Sequence, residues 1–262
     1  KGGGAASPMR RLPRAVVFLG PPGVGKGTYA IRLARMLRAP HVVAGDLIRD
    51  EIKARTPLGL SVEGRIAQGR LLEDETIFDL IAKRMSQPDV ALTGAVLDGY
   101  PRSVDQARRL KELAEVEVVV NLAMREDALI AKLLGRCSCE NCGKSYNTAS
   151  VNLSPDTSRL LPPVILKPLA PPGGRCEACG CPRMARRSDD TMAAISTRLA
   201  SHTQQCFPVE QHYRQDAVVR VVDFEITAGI PETLPHLMRA ICATGLVTVG
   251  VGGRSVLESL PH

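Results

Sequence analysis

Gly20-Pro21-Pro22-Gly23-Val24-Gly25-Lys26-Gly27-Thr28 is the stretch on which the reading of this chain turns. An apolar run, Ala15-Val16-Val17-Phe18-Leu19, precedes it, and an amphipathic segment from Tyr29 to Leu37 follows. A buried strand, a glycine-rich turn and a helix N-terminus in that order form a phosphate cradle. Glycines let backbone N–H groups converge on an anion, the helix dipole adds partial positive charge, and Lys26 supplies a full one. A Gly/Pro turn that merely linked strand to helix would have no need of the lysine. The usual phosphate loop places Ser or Thr directly after that lysine. Here Gly27 intervenes and the hydroxyl arrives at Thr28, so the metal ligand at the usual place is missing. The loop therefore points to a sub-class of phosphate-loop proteins.

A chain of 262 residues can bury a full core, as one domain with an insertion or as two. Aromatics make up 3% and Trp is absent, so that core must rest on Val, Leu, Ile, Ala and Met. No apolar run approaches the roughly 20 residues of a membrane span, so none is expected. The formal net charge is +7, from 34 Lys and Arg against 27 Asp and Glu. Such an excess can mark a nucleic-acid binder. There is no Lys/Arg-dense block, however, and too few aromatics for a single-strand stacking platform, so no nucleic-acid partner is expected. An arginine-lined pocket for phosphorylated small molecules accounts for the same balance. Residues 1–14 hold Lys1, Arg10, Arg11 and Arg14 and no acid. That composition fits the edge of an organelle transit peptide, with a basic tail on a cytoplasmic protein as the alternative.

Hydrophobic patterning predicts strands at 15–19, 41–43, 95–97, 116–122 and 218–226. Helices are expected at 29–37, 47–54 with Asp46 as N-cap, 61–68 closed by Gly69, and 76–85. Further helices fall at 104–114, 127–134, 189–202, 208–215 and 231–241. Strands alternating with helices imply an α/β fold, a five-stranded parallel doubly wound sheet with ligands at the carboxyl ends of its strands. Periodicity stops from 135 to 187, where six of the eight cysteines cluster among prolines. The expected organisation is a basic tail (1–14), a core (15–134 and 188–244) containing a nucleotide-binding segment at 44–73, an inserted lid (135–187), and an unplaced tail (245–262).

Three more motifs sit where carboxyl ends of strands should be: Ala44-Gly45-Asp46-Leu47-Ile48-Arg49, Asp98-Gly99-Tyr100-Pro101-Arg102, and Arg187-Ser188-Asp189-Asp190 followed by Arg198. Taken singly, the arginines read as surface residues, Asp98-Gly99 as a strand-ending turn and Asp189-Asp190 as a helix cap. Jointly, and in this order, they make the chain from Arg14 to Ile241 resemble the adenylate kinases of the nucleoside-monophosphate kinase family, in the long-lid form of plant organelle enzymes. The resemblance implies reversible transfer of the terminal phosphoryl group of ATP to AMP, giving two ADP. Such chemistry is mostly positioning and charge neutralisation, and arginine grips phosphate with a planar fork that keeps its proton. By the family's pattern Gly23, Val24, Gly25, Lys26, Gly27 and Thr28 hold the ATP phosphates, with Arg136 and Tyr146 also on the ATP side. Ala44, Asp46, Arg49, Arg70, Leu72, Gly99, Arg102, Gln106, Arg187 and Arg198 line AMP, Gln106 reading the adenine edge. Lys26, Asp98, Arg102, Arg136, Arg187 and Arg198 form the catalytic set. Asp98, with Asp46 as a second candidate, orients the hydration shell of the Mg²⁺ that accompanies ATP.

Adenylate kinases commonly carry Thr where this chain has Ala44, a residue reminiscent of UMP/CMP kinases, while Gln106 and the long lid favour AMP. Lys132 stands where many relatives have Arg. The lid holds Cys139-Glu140-Asn141-Cys142 and Cys176-Glu177-Ala178-Cys179, the spacing of a tetrahedral structural Zn²⁺ site. Cys137 and Cys181 could replace a neighbouring ligand, and free thiols or a redox-sensitive disulfide are the alternatives. Cys206 and Cys242 read as small core residues. Two other functions stay open at this point: a UMP/CMP or other nucleoside-monophosphate kinase, and a kinase-like structural subunit of an organelle complex. A monomer is expected unless such a complex exists.

Overall fold

The computed structural model describes residues 12–67, 74–186 and 190–245. Arg70, Leu72 and Arg187, together with most of both tails, lie outside these described residues, as do Gly69, Ser188 and Asp189. In chain order the first half runs β1 (Arg14–Leu19), α1 (Lys26–Leu37), β2 (His41–Val43), α2 (Ala44–Lys53), α3 (Pro57–Ala67), α4 (Asp74–Met85), α5 (Pro88–Thr93), β3 (Ala95–Asp98), α6 (Val104–Leu110), β4 (Glu115–Ala123) and α7 (Glu126–Leu134). There follow five short strands, β5 (Arg136–Cys139), β6 (Ser145–Asn147), β7 (Val151–Leu153), β8 (Val164–Leu166) and β9 (Met184–Ala185). The chain closes with α8 (Met192–Arg214), β10 (Arg220–Glu225) and α9 (Ile230–Ala243).

The main sheet is parallel throughout, in the order β10-β4-β1-β3-β2. β1 lies at its centre, with Val17 opposite Leu97 on one side and Val119 on the other. Because side chains alternate along a strand, β1 feeds two separate cores. Val16 and Phe18 pack with α1, α7 and α9 through Leu33, Leu129 and Leu237. Ala15, Val17 and Leu19 pack on the other face with Ile81 of α4, Leu110 of α6 and Tyr213 of α8. Strands buried on both faces are what their continuous apolar runs demand. Strand order reverses at β1, so the loop after it opens at the point where such sheets bind ligands.

Several local expectations change. The two helices expected at 189–202 and 208–215 are one 23-residue helix, α8, with Pro208 inside it. Its N-cap is Thr191, whose hydroxyl accepts from the Ala194 N–H. Asp46 is inside α2, which starts at Ala44, and makes no cap bond. Pro57 opens α3, α5 was not anticipated, and α6 ends at Leu110.

The stretch 135–187 does not behave as one unit. β6-β5-β9 form an antiparallel sheet around the cysteines, whereas β7 and β8 pair separately. Val151, Val164 and Leu166 of this hairpin are buried in the main core, alongside Leu129 and Ile195. Ile165 N–H donates to the Thr227 carbonyl beyond β10, and buried Arg125 donates to the Ser154 and Pro162 carbonyls at 2.6 and 3.0 Å. The stretch expected as one lid is thus divided: the cysteine sheet forms its own small cluster, and the hairpin packs into the main core.

Candidate active site

The loop from Gly20 to Gly25 ends in a helix that nothing caps. Gly25, the N-cap of α1, is left-handed at φ 106°, no side chain satisfies the first turn, and no acid lies in it. The orphan N–H groups and the positive end of the dipole are left for an anion. Lys26 Nζ folds back to donate to the carbonyls of Gly20 (2.6 Å) and Pro21 (3.0 Å). Burial lowers its pKa from 10.5 to about 8, against an opposing pull from Asp98. Lys132 of α7 reaches the same loop, Nζ to the Val24 carbonyl at 3.3 Å, and burial lowers it to about 8 as well. The loop thus has two ammonium groups, of which the sequence reading gave a role to one.

Gly27 has a steric reason. A Cβ at this position would stand 3.0 Å from Asp98 Oδ2, tighter than ordinary van der Waals contact. Asp98 ends β3, is 8% exposed, and faces His41 Nε2 at 3.7 Å. Glycine therefore lets a carboxylate approach the first turn of the phosphate helix. α8 completes this wall, because His202 lies against the Gly20 carbonyl; burial foremost, and then the Lys26 charge, lower its pKa to about 4. Cys206, one turn on, is partly buried near Lys26 and Arg102, and burial raises its pKa. It joins neither main core, so its expected place there is corrected.

On the β2–β3 side, Ala44 is buried at the start of α2, and Asp46 forms an exposed ion pair with Arg49. Arg102 Nε donates to the Gly99 carbonyl at 2.9 Å. Gln106, 4% exposed on α6, accepts from the Arg102 N–H through Oε1 at 2.7 Å.

Asp190 organises the lid side. Its carboxylate, 3% exposed, takes Arg136 bidentately at 2.7 and 2.9 Å and Arg198 Nη1 at 3.3 Å. One acid brings together two arginines that lie 62 positions apart. The sequence reading took Asp189-Asp190 as the helix cap; Thr191 caps α8 instead, and Asp190 anchors two arginines, while Asp189 lies outside the described residues.

In the cysteine sheet the thiol atoms of Cys139, Cys142, Cys176 and Cys179 lie within 4.8 Å of one another. Sγ–Sγ distances are 3.5 Å for both Cys139–Cys179 and Cys142–Cys176. Four thiolates about 2.3 Å from a tetrahedral zinc would stand about 3.8 Å apart, so the donor set fits that ion. Each C-x-x-C pair is followed by a glycine with φ 71°, Gly143 or Gly180, whose N–H returns to the first cysteine's carbonyl. Cys137 and Cys181 do not join the four. The Tyr146 hydroxyl donates to Cys176 Sγ and is the main cause that lowers the Cys176 pKa to about 6. Tyr146 is 3% exposed in this cluster. Its hydroxyl is thus engaged with the cysteine cluster.

A sequence model of the adenylate kinases matches residues 18–218. The chain belongs to the adenylate kinase family. A probable adenylate kinase 1, chloroplastic, of Oryza sativa subsp. japonica is 40% identical over 226 residues, covering 86% of this chain and 74% of the relative. Adenylate kinase 1, chloroplastic, of Arabidopsis thaliana is 38% identical over 242 residues, 91% and 82% of the two chains. A bacterial adenylate kinase from Moorella thermoacetica is 35% identical, spanning 86% of this chain and 97% of its own. Adenylate kinases are phosphotransferases that use Mg²⁺ with ATP, and a buried carboxylate against the phosphate helix suits an ion that keeps several of its waters. Among the described residues, no helix of this adenylate kinase is long and apolar enough to cross a membrane. What the sequence reading did not give was the role of Asp190 as a shared anchor, the reach of Lys132 to the loop, and the His202 wall, because each depends on which elements pack together in space.

Proposed function

We propose that the chain transfers the terminal phosphoryl group of ATP to AMP, with donor and acceptor on either side of Asp98. The observation that carries this is the uncapped α1 N-terminus holding Lys26, with Asp98 against its first turn and the charges of Arg102 and Arg198 near enough to act on Lys26. Lys26 and the N–H groups of residues 23–28 grip the ATP phosphates. Arg49 and Arg102 hold the AMP phosphate, with Arg70 and Leu72 near the same nucleotide. Arg136, Arg187 and Arg198 take up the charge that spreads over the transferring group. Mg²⁺ supplies further neutralisation of the phosphates, and Asp98 is the group that would hold its water shell. Arg136 and Arg198 are released from Asp190 as phosphate replaces carboxylate, and closure of the cysteine sheet excludes water.

We assign structural Zn²⁺ to Cys139, Cys142, Cys176 and Cys179, supported by the four-thiol geometry. Chloroplastic relatives support a plastid location, which imaging of a reporter fusion checks. A monomer is the oligomeric state to test by sedimentation. Steady-state rates with AMP, UMP, CMP and GMP test the acceptor: AMP is expected to be preferred, and a preference for UMP or CMP would transfer the chain to the reading that Ala44 favours. Lys26→Ala is expected to lower kcat by about 10²–10³-fold; unchanged turnover would remove the loop from the chemistry.

A further inference from the structure

Asp74 is the first residue of α4, where its sequence context marks it only as an acid in the helix's first turn. Its carboxylate crosses to α6, where Oδ1 accepts from Gln106 Nε2 at 2.7 Å and Oδ2 accepts from Ser103 Oγ at 3.2 Å. The other end of the same amide, Gln106 Oε1, accepts from the Arg102 backbone N–H. A glutamine amide has two ends of nearly equal shape and opposite hydrogen-bonding sense. Here the two neighbours tell them apart. An ionised carboxylate only accepts and a backbone N–H only donates, so turning the amide over would replace two good contacts by two repulsive ones.

We propose that Asp74 is a specificity-determining positioning residue, which locks the Gln106 amide so that its remaining Oε1 lone pair and Nε2 N–H face the acceptor base in one fixed order. The inference rests on the reading of Gln106 as the group that meets the AMP base. An acceptor beside a donor complements the amino group and adjacent ring nitrogen of adenine, as in bidentate amide–adenine pairs. Guanine presents a carbonyl where adenine has the amino group, so a fixed amide meets it acceptor against acceptor. Free to flip, the amide would accommodate either base. Ala44 sharpens the point, because it is buried with only a methyl group to offer. Asp74 acts through Gln106 and touches no nucleotide.

The test is a double-mutant cycle on the full chain: Asp74→Ala, Gln106→Ala and the pair, assayed with AMP and GMP as acceptors at varied ATP, with unfolding curves for each. Gln106→Ala is expected to raise KM for AMP about tenfold and to narrow the AMP:GMP ratio of kcat/KM. Asp74→Ala should reproduce most of both changes, leave KM for ATP alone, and add nothing in the Gln106→Ala background. Asp74→Asn, which keeps one acceptor, should fall between Asp74→Ala and wild type, and it stands in if the alanine variant does not fold. Equal Asp74 effects in both backgrounds, or a loss of stability with no change in the AMP:GMP ratio, would overturn the positioning role. If Gln106→Ala itself leaves AMP selectivity intact, the reading of Gln106 fails, and the role of Asp74 with it.

Discussion

Lys26 meets its substrate already stripped of most of its water, and the sign of the consequence can be worked out. Burial lowers its pKa to about 8, so the folded protein favours the neutral amine more than the unfolded chain does. On this group alone stability is reduced below pH 8 and recovers as pH rises from about 8 towards 10.5. ATP phosphates act oppositely, because they favour the ammonium form. ATP binding between pH 8 and 9 should therefore take up protons, with Lys132 contributing to the same uptake. Calorimetry in two buffers of different ionisation enthalpy measures it, and zero uptake would contradict the desolvated lysine. Asp190→Asn is a second residue-scale prediction. Loosening Arg136 and Arg198 should lower kcat about 10–100-fold, visible in single-turnover rates, while AMP binding changes little. Lys26 and the glycines were legible because loop chemistry is local. The double grip of Asp190 was not, since it joins arginines of β5 and α8 that only the fold brings together.

Among elements, the five strands and their alternation with helices could be read from periodicity, and boundaries moved by a few residues. α8 could not be read as one helix, because a proline normally ends one. It survives Pro208 because Ile195 and Leu199 anchor its first half in one core while Val209 and Tyr213 anchor the second half in the other. Tertiary packing outweighs the lost bond. The β7–β8 hairpin was hidden in a proline-rich stretch whose alternating Val164 and Leu166 are too short a signal. Leu166→Ala should cost about 2–4 kcal/mol in urea unfolding, a cost belonging to the body and not to the lid. The cysteine sheet answers to a different treatment. Purified protein should carry one zinc per chain, and chelation should lower the thermal midpoint; equal midpoints with and without metal would rule out structural zinc.

For the molecule as a whole, the division between hairpin and cysteine sheet sets where motion can occur. Backbone amides of 151–153 and 164–166 should exchange with solvent as slowly as those of the central strands. Those of 136–139 and 145–147 should exchange faster in the free enzyme and slow when ATP and AMP are both present. Uniform protection across the two groups would mean that the insert moves as a single piece. The chain's fold class was thus readable from one end to the other, yet the seam inside the insert required Arg125 and its two carbonyl partners to be seen in space. Asp190 has one more consequence. A carboxylate that grips Arg136 and Arg198 is a resident counter-ion, and any visiting anion must displace it to reach them. Singly binding oxyanions such as sulfate gain too little to do so, whereas a nucleotide anchored elsewhere by its own loop can. The free enzyme is thereby buffered against the simple salts around it, and sulfate should inhibit the Asp190→Asn variant more strongly than the parent.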